Sequence, residues 1–533
     1  MNRGFAIFAT LLCSALAASA QVREQITVEA VDVPVYVVNN GKPLHHLTKN
    51  DFDLYVNGKP QPIDYFEEVD LAAPPPPASA SPEEAPVPHA QLRDRRLFLF
   101  LFDVTLKHLE AAAIYASALD RGRRAALDMV DHALPNDLFA VAAVTYSGIK
   151  FVSPFLRDHD AVRRAILQLK PSNAHDGLAI SITSSERDMA GTWSAAPFAA
   201  GRMGGEDSLP DVLAAASALQ RDREARLAND QIEWYGELAA RLRGLDGLKH
   251  VIFFSDGQTL LFEKQFRNVT NMAASFQASN AYLHAVDLTP IATGADPSVM
   301  TAPDRSPQVR PSEAPAVLGN PYIDWFAPKP GVIPPSENEW LFWMSNETGG
   351  SWIHWKNQLA PALEDLSASY SSFYRLGFKP AGARKGHNNI DVKVKNLPAG
   401  ARVSFRKGFT TMPSKASGPD PFVLADIIQN DTPQSGTPPV IALDGRRVDV
   451  IVPVIQLSKQ FGAVDRAKAM LYIFDAKGVP VSSTEKTFAI PRDAARDRVI
   501  QQKLDLAPGS YVAKVLLRVG DSLAFTKEPF KIE

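Results

Sequence analysis

The stretch Arg96-Leu-Phe-Leu-Phe-Leu-Phe-Asp-Val-Thr-Leu-Lys107 sets the architecture of this chain. The run from Leu97 to Phe102 is wholly apolar, and it ends at the carboxyl group of Asp103. An apolar run of this kind is typical of a strand that is buried on both faces of a parallel sheet. The carboxyl end of such a strand would bring Asp103 and Thr105 to the edge where open α/β sheets bind their ligands.

A second stretch, His250-Val-Ile-Phe-Phe-Ser-Asp256-Gly257, repeats the pattern of an apolar strand that ends at an aspartate. Two aspartates and a hydroxyl that meet at one sheet edge form a hard-oxygen site, which suits Mg²⁺ or Ca²⁺. The sequence therefore predicts a divalent-cation site formed by Asp103, Thr105 and Asp256. The alternative is that each aspartate caps a turn or a helix, which is a common role for Asp at the end of a strand.

The region around these two strands alternates strand and helix patterns between residues 93 and 370. Leu138 to Tyr146 and Ala281 to Leu288 are further apolar strands, and Ala-rich or amphipathic stretches separate the strands. Such alternation predicts an α/β domain with a doubly wound, mostly parallel sheet of the Rossmann-like type.

Two β-rich segments flank the α/β region, at residues 21–70 and 371–411. The first carries β-branched residues at period two from Ile26 to Val38, and the second contains short strands such as Asn389 to Lys395. Each segment offers too few strands for an independent sandwich. We therefore predict that the two segments pair with each other, so that the α/β domain is inserted into one β-rich domain.

The remaining parts of the chain are two linkers and a C-terminal domain. Residues 71–92 include the run Pro74 to Pro77 and are predicted to be a linker without core-forming residues. Residues 412–438 are polar and Pro-rich and are predicted to be a second linker. Residues 439–533 carry several short strands separated by turns such as Lys477-Gly478. That spacing predicts an immunoglobulin-like β-sandwich without a disulfide.

The amino terminus has the pattern of a secretory signal peptide over residues 1–20. Arg3 precedes an apolar segment, and Ala18-Ser-Ala20 matches a cleavage site. The only cysteine, Cys13, lies in that segment, so the mature chain would have no thiol for disulfides, metal ligation or catalysis. We expect an exported protein that is secreted or held in the periplasm or cell envelope.

Composition and motifs restrict the classes of function. A formal net charge of −3 over 533 residues argues against a nucleic-acid partner. No apolar run after the signal segment is long enough to span a bilayer. The sequence contains no P-loop, G-x-G-x-x-G, G-x-S-x-G or H-E-x-x-H motif, so we assign no catalytic residue and no organic cofactor.

The middle region resembles von Willebrand factor A domains, and the wider layout is similar to bacterial proteins, frequent in Acidobacteria, that carry a VWFA-related domain. Phe102-Asp-Val-Thr-Leu-Lys107 stands where the family has Asp-x-Ser-x-Ser, and Phe253-Phe-Ser-Asp-Gly257 stands where it has Thr/Ser-Asp-Gly. Further segments like those of the family are Leu47 to Gly58, Thr348-Gly-Gly350, Phe373 to Phe378 and Arg406 to Phe409.

The resemblance implies that Asp103 and Thr105 are the first two ligands of a metal-ion-dependent adhesion site and that Asp256 is its distal aspartate. Two departures from the family are that Lys107 replaces the second Ser and that no Thr stands near Asp230. They indicate a degenerate site, in which an ammonium group either repels a cation or replaces it by pairing with the two aspartates.

The predicted function is a non-enzymatic, exported binding or adhesion module. A protein partner would dock at the carboxyl edge of the sheet, where its carboxylate completes the coordination of Mg²⁺ or another divalent cation, as the resemblance implies. The alternative is a metal-dependent hydrolase that uses the same two aspartates. The sequence disfavours the hydrolase because it places no general base or nucleophile beside them.

Overall fold

The computed structural model describes parts of the two flanking β segments, of the central α/β region and of the C-terminal domain. The predicted signal peptide and two of the predicted metal ligands, Thr105 and Asp256, lie outside the described residues, as does Lys107. The predicted linker 71–92 is described only at its two ends. The described residues are 30–73, 89–104, 112–145, 147–169, 229–255, 262–288, 339–354, 358–380, 386–411 and 420–533.

The N-terminal β segment consists of two hairpins and a further strand. Both hairpins turn at an Asn-Gly pair, and Asn40, Gly41, Asn57 and Gly58 have φ angles of 51°, 79°, 50° and 76°. Positive φ at both central positions is what a type I′ turn requires, and Asn and Gly adopt it most easily. The elements are β1 (Val31–Asn39), β2 (Lys42–Pro43), a 3₁₀ turn (Lys49–Asp51), β3 (Phe52–Val56), β4 (Lys59–Gln61) and β5 (Tyr65–Asp70).

The central region alternates strands and helices along the chain. The elements are α1 (His89–Asp94), β6 (Arg96–Asp103), α2 (Ala112–Asp131), β7 (Leu138–Thr145), β8 (Gly148–Leu156), α3 (His159–Gln168), α4 (described over 229–242), β9 (Leu248–Ser255), α5 (Phe262–Ala278), β10 (Ala281–Asp287), α6 (Glu339–Thr348), β11 (Trp352–Ile353) and α7 (Ala360–Ser369).

These strands form one six-stranded sheet in the order β11-β10-β9-β6-β7-β8. Neighbouring strands run parallel, except that β8 runs antiparallel to β7 at one edge. Helices α2, α3 and α7 pack on one face of the sheet, and α4, α5 and α6 pack on the other. The predicted doubly wound, mostly parallel sheet is confirmed. Strand β8 is not predicted from the sequence.

Strands β6, β7 and β9 are buried along their whole length, which explains why the sequence between their polar ends is apolar and does not alternate. Burying each large apolar side chain stabilises the fold by about 1.5–3 kcal/mol. Side chains of β6 alternate between the two cores. The core under α2, α3 and α7 receives Phe98, Phe100 and Phe102, and the core on the opposite face receives Leu97, Leu99 and Leu101.

The Thr348-Gly-Gly350 motif ends α6 and leads into the edge strand β11. Thr348 Oγ1 donates to the Met344 carbonyl at 2.8 Å and accepts from the Leu283 amide at 3.0 Å. Gly349 has a φ angle of 79°, and a Cβ added at Gly350 would lie 1.9 Å from the Leu283 carbonyl oxygen. The two glycines therefore allow α6 to close onto the backbone of β10.

The segment after the central region returns to the N-terminal strands. It consists of β12 (Ser372–Phe378), β13 (His387–Val394), β14 (Arg402–Phe405) and β15 (Gly408–Thr410). Strand β12 pairs antiparallel with β1 and β5, β14 pairs with β1, and β13 pairs with β3. Strands from the two flanking segments thus pair and share one core, while the domain boundaries drawn from the sequence stay predictions.

The C-terminal region contains two sheets with a common apolar core. Its elements are α8 (Pro421–Asn430), β16 (Val440–Asp444), β17 (Arg447–Val452), α9 (Val454–Phe461), β18 (Val464–Asp475), β19 (Pro480–Ile490), β20 (Arg498–Lys503), β21 (Gly509–Val519) and β22 (Ser522–Ile532). The strand orders are β16-β17-β20 and β19-β18-β21-β22. Residues of both sheets enclose the core, so this region is a β-sandwich.

Helix α8 lies inside the segment 412–438, for which the sequence analysis predicts a plain linker. That prediction is wrong over the helix. Phe422 contacts Phe151 of the central region with ring centroids 4.5 Å apart, and Ile427 and Ile428 pack against the four-stranded sheet of the sandwich. The helix forms because it carries apolar side chains for both neighbours, and its own proline occupies the first turn, where the missing N–H is tolerated.

Candidate functional site

The carboxyl ends of three neighbouring strands place polar residues in one row. Asp287 of β10 is in register with Ser255 of β9, and Phe102 of β6 is in register with Phe254 of β9. One residue further along, Asp103 therefore stands beside Ser255. We call this row of Asp103, Ser255 and Asp287 the carboxyl rim.

Asp103 is buried at this rim, with 1% of its surface exposed. The Ser255 hydroxyl donates to Asp103 Oδ2 at 3.0 Å, so β6 and β9 are joined by side chains as well as by their ladder. Tyr235 of α4 is buried close by, and burial, followed by the charge of Asp103, raises the pKa of its phenol well above the ordinary value. The phenol therefore stays protonated and can donate a hydrogen bond.

The other end of the carboxyl rim combines a carboxyl group with a guanidinium group. Asp287 is 5% exposed and follows the apolar strand β10. The Arg121 guanidinium of α2 donates to the Leu288 carbonyl, one residue beyond Asp287. Burial lowers the pKa of Arg121, and the neighbouring Asp287 acts in the opposite direction. This part of the rim can hold an anionic as well as a cationic group.

A hydroxyl pair continues the polar edge onto β7, the neighbour of β6. Asp103 is in register with Val144, and Thr145 follows as the last residue of that strand. Thr145 Oγ1 donates to the Gly148 carbonyl at 2.9 Å and accepts from the Ser147 amide at 3.3 Å. The polar edge therefore extends across four strands and consists of carboxyl and hydroxyl groups, with one guanidinium.

Of the three predicted metal ligands, the structure describes one. Asp103 lies at the carboxyl end of β6, and β9, which leads to Asp256, runs parallel beside it. Sequence reasoning missed Ser255 and Asp287 as members of the rim. A usable signal was present for Asp287, because Ala281 to Asp287 is again an apolar strand that ends at an aspartate.

The chemistry of the rim fits a hard divalent cation, since Mg²⁺ and Ca²⁺ prefer carboxylate and hydroxyl oxygens. Asp103 and Ser255 would hold such an ion from the described chain, and Thr105 and Asp256 follow them closely in the sequence. Within the described residues, no group of three or more His, Cys, Asp or Glu side chains is arranged to hold a metal ion. Any cation here would therefore need hydroxyls, water or a partner's groups to complete its coordination.

The comparisons with known proteins are distant. No family model matches the chain, and no curated protein matches it. A von Willebrand factor type A structure from Catenulispora acidiphila is 9% identical, covers 91% of this chain and 75% of its own, and has a TM-score of 0.25. TM-scores this low carry no argument about fold or function, so the proposals below rest on contacts within the chain.

Two other solved structures are similar to smaller parts of the chain. The β-glucuronidase of Parabacteroides merdae is 14% identical over 19% of this chain, with a TM-score of 0.12, and only 13% of the enzyme is covered. The chicken interferon gamma receptor alpha chain is 9% identical, with 27% of this chain and 65% of the receptor covered and a TM-score of 0.14. Separately, none of the helices described in the structure has the length and apolar character of a membrane span.

Proposed function

We propose that this chain is an exported binding module that docks a protein partner at the carboxyl rim through a divalent cation and does not catalyse a reaction there. The observation that supports this most directly is the Asp103–Ser255 contact. It places a buried carboxyl group and a hydroxyl together where the carboxyl ends of parallel strands meet. In open α/β sheets this edge is the usual place for a ligand.

The cation would be held by Asp103 and Ser255, together with Thr105 and Asp256 as the resemblance to von Willebrand factor A domains implies. Its role would be to present an open coordination position to a carboxylate of the partner. The rival arrangement is that the ammonium of Lys107 occupies the place of the cation, in which case docking would be by direct ion pairs. A metal titration separates the two, because only the first arrangement binds free metal.

The C-terminal sandwich is proposed to be immunoglobulin-like, as the sequence analysis expects. Its strand orders support this, because β16-β17-β20 and β19-β18-β21-β22 match a first, second and fifth strand facing a fourth, third, sixth and seventh. Immunoglobulin-like domains divide their strands between two sheets in a closely related way. The sandwich would hold the central domain at a distance or bind a second partner.

Isothermal titration of the full chain with Mg²⁺, Mn²⁺ and Ca²⁺ tests the site. We expect binding in the wild type and its loss in Asp103→Asn, which keeps the shape of the side chain and removes its charge. Asp391→Asn is the matched control, because Asp391 is an exposed strand aspartate far along the chain. Absence of binding by the wild type at millimolar metal, or equal binding by Asp103→Asn, would contradict the cation.

A panel of ester and phosphoester substrates tests the non-enzymatic part of the proposal. We expect no turnover above background with or without divalent metal. Metal-dependent turnover that disappears in Asp256→Ala would show a hydrolase and overturn the binding-only function. The same preparations used for titration serve here, so that folding and metal content are known for each variant.

A further inference from the structure

The two outer faces of the C-terminal sandwich are treated differently. On the four-stranded sheet, the outward residues Met470, Phe474 and Leu516 are covered by Ile427 and Ile428 of α8. Those side chains are nearly fully buried as a result. An apolar outer face is thus protected on one side of the sandwich by an element of the same chain.

The three-stranded sheet carries apolar residues on its outer face as well. Val440 of β16 is 58% exposed and Val499 of β20 is 51% exposed. Both are in register with Ile451 of β17, which lies between them, so the three form one aliphatic row across the sheet. Singly exposed valines are ordinary on protein surfaces, whereas these aliphatic side chains adjoin one another on one face.

The rest of this face carries charges in an ordered arrangement. Along the strands from the aliphatic row, the last row consists of Asp444 on β16, Arg447 on β17 and Lys503 on β20. Arg447 lies 3.1 Å from Asp449 on the same strand and 3.3 Å from Asp444, so the charges of Arg447 and Asp449 cancel at the centre of the face. What remains is an acidic group at the β16 edge and a basic group at the β20 edge.

We propose that this face binds the same face of a second copy of the chain. A two-fold axis that runs along β17 exchanges the β16 edge of one copy with the β20 edge of the other. Val440 then lies over Val499 of the second copy, Ile451 lies over Ile451, and Asp444 lies over Lys503. The face is therefore complementary to itself in its apolar row and at its two charged edges, while Arg447 and Asp449 of β17, which are paired within each chain, lie over their own counterparts.

The size of the face sets the strength of the contact. Three strands about 4.8 Å apart, with five residues at about 3.3 Å each, give a footprint of about 15 by 17 Å. This is smaller than the roughly 800 Å² per partner of a standard interface. The dimer is accordingly weak, and it forms at high local concentration.

Charge exchange gives a test that a monomeric structural role would not pass. Asp444→Lys places lysine opposite lysine, and Lys503→Asp places aspartate opposite aspartate, so each variant alone should dimerise about tenfold or more weakly than the wild type. An equimolar mixture of the two variants places lysine opposite aspartate at both contacts. We expect sedimentation velocity of full chains, from nanomolar to high micromolar protein, to show dimers in the mixture.

The aliphatic row is tested with Val499→Lys, which should also abolish the dimer. Val481→Lys is the matched control, because Val481 is a 41% exposed valine on the other sheet of the same sandwich. A wild type that stays monomeric throughout the concentration series would overturn the proposal. So would single charge variants that dimerise as well as the wild type. Since all four positions are exposed, circular dichroism should show unchanged folding.

Discussion

The two rims of the central sheet carry opposite kinds of charged residue. The amino rim, where the parallel strands begin, has Arg95, Arg96 and Lys249, whereas the carboxyl rim has Asp103 and Asp287. All five are at least nine-tenths buried. The comparison matters because burial of a charged group is costly unless the surroundings satisfy it, and the two rims do this differently.

The amino rim satisfies its two arginines by ion pairs to other elements. Arg96 donates to both carboxylate oxygens of Asp137, at 2.8 and 2.6 Å. Arg95 donates to both oxygens of Asp426 on α8, at 3.0 and 2.7 Å. Bidentate pairs of this kind have fixed geometry, so the amino rim connects the central sheet firmly to its neighbours.

At the carboxyl rim, Asp103 accepts a hydrogen bond from a small donor. The Ser255 hydroxyl donates to Asp103, and the Arg121 guanidinium, which donates to the Leu288 carbonyl, attracts the charge of Asp287. A hydroxyl can rotate away and be replaced by a metal ion or a ligand group with little rearrangement. The difference teaches that buried ion pairs at the beginning of these strands serve stability, whereas the carboxyl and hydroxyl groups at their ends are suited to binding.

The largest effect is expected at the amino rim. Asp137→Asn leaves Arg96 buried beside a neutral partner, which should lower the unfolding free energy by about 3–5 kcal/mol. Urea unfolding followed by tryptophan fluorescence measures it, because all seven tryptophans lie between residues 193 and 355 and report on the central region alone. A loss below about 1 kcal/mol would show that the pair is not what stabilises this rim.

A double variant separates the effect of the uncompensated charge from the effect of altered packing. Replacing the pair by apolar groups, Arg96→Met with Asp137→Leu, removes both charges together, and such replacements are often neutral or stabilising. We expect it to be more stable than Asp137→Asn alone. If it were equally unstable, packing and not the uncompensated guanidinium would account for the effect.

A second effect is expected between the rims, in the middle of the sheet. His250 Nδ1 and His284 Nε2 are 3.1 Å apart, and the Ser351 amide donates to His284 Nδ1 at 3.1 Å. Both ring nitrogens of His284 therefore have hydrogen-bond partners within the core. Burial lowers the pKa of His284 to about 3, and burial, then His284, then Arg96 lower that of His250 well below its ordinary value.

Acidification should therefore weaken the fold through these histidines. Their pKa values are lower in the folded chain than in the unfolded one, so stability is complete above about pH 6.5 and is lost as the pH falls below it. For His284 alone we expect a loss of about 2 kcal/mol between pH 7 and pH 5. The same fluorescence assay should show a shallower pH dependence in His284→Gln. An unchanged slope in that variant would exclude His284 as the source.

A smaller effect, in which removal of the charge should stabilise the fold, is expected for Lys249, the third cation of the amino rim. Lys249 Nζ donates to the Ser279 carbonyl at 3.1 Å, and burial lowers its pKa from 10.5 to about 7. The unfolded chain binds this proton more tightly, so stability should rise with pH from about 7 towards 10.5. Lys249→Met should stabilise the fold by about 1–2 kcal/mol at pH 7 and remove that rise. Lys486→Met, at an exposed strand position, should change neither property.

How much of this could be predicted from the sequence depends on whether a residue's role leaves a local pattern. The buried strands left such a pattern, because burial on both faces requires an apolar run, as in Leu97 to Phe102 of β6 and Val251 to Phe254 of β9. The pairing of the two flanking β segments also followed, since neither could bury a face alone. Strand β8 did not follow, because its sequence, Gly148–Leu156, mixes polar and apolar residues as an edge strand does.

The polar residues divide in the same way. Asp103 was found because it interrupts an apolar strand, and Asp287 carries the same signal. The ion pairs of the amino rim leave no such signal in the sequence. Arg95 and Asp426 are 331 positions apart, and nothing in the sequence distinguishes a buried arginine from an exposed one. Helix α8 was missed for the related reason that its two apolar sides are explained only by two tertiary neighbours.

The smallest change in stability should come from the carboxyl rim. In Asp103→Asn the amide oxygen can still accept from the Ser255 hydroxyl, so the unfolding free energy should change by less than about 1 kcal/mol in the absence of metal. In the wild type, saturating Mg²⁺ at 100 times its dissociation constant should add about 2.7 kcal/mol, and the variant should gain nothing. A large loss of stability in Asp103→Asn without metal would mean that this aspartate is held as firmly as Asp137. Both rims would then serve stability, and the proposal that the carboxyl rim is the docking site would be contradicted.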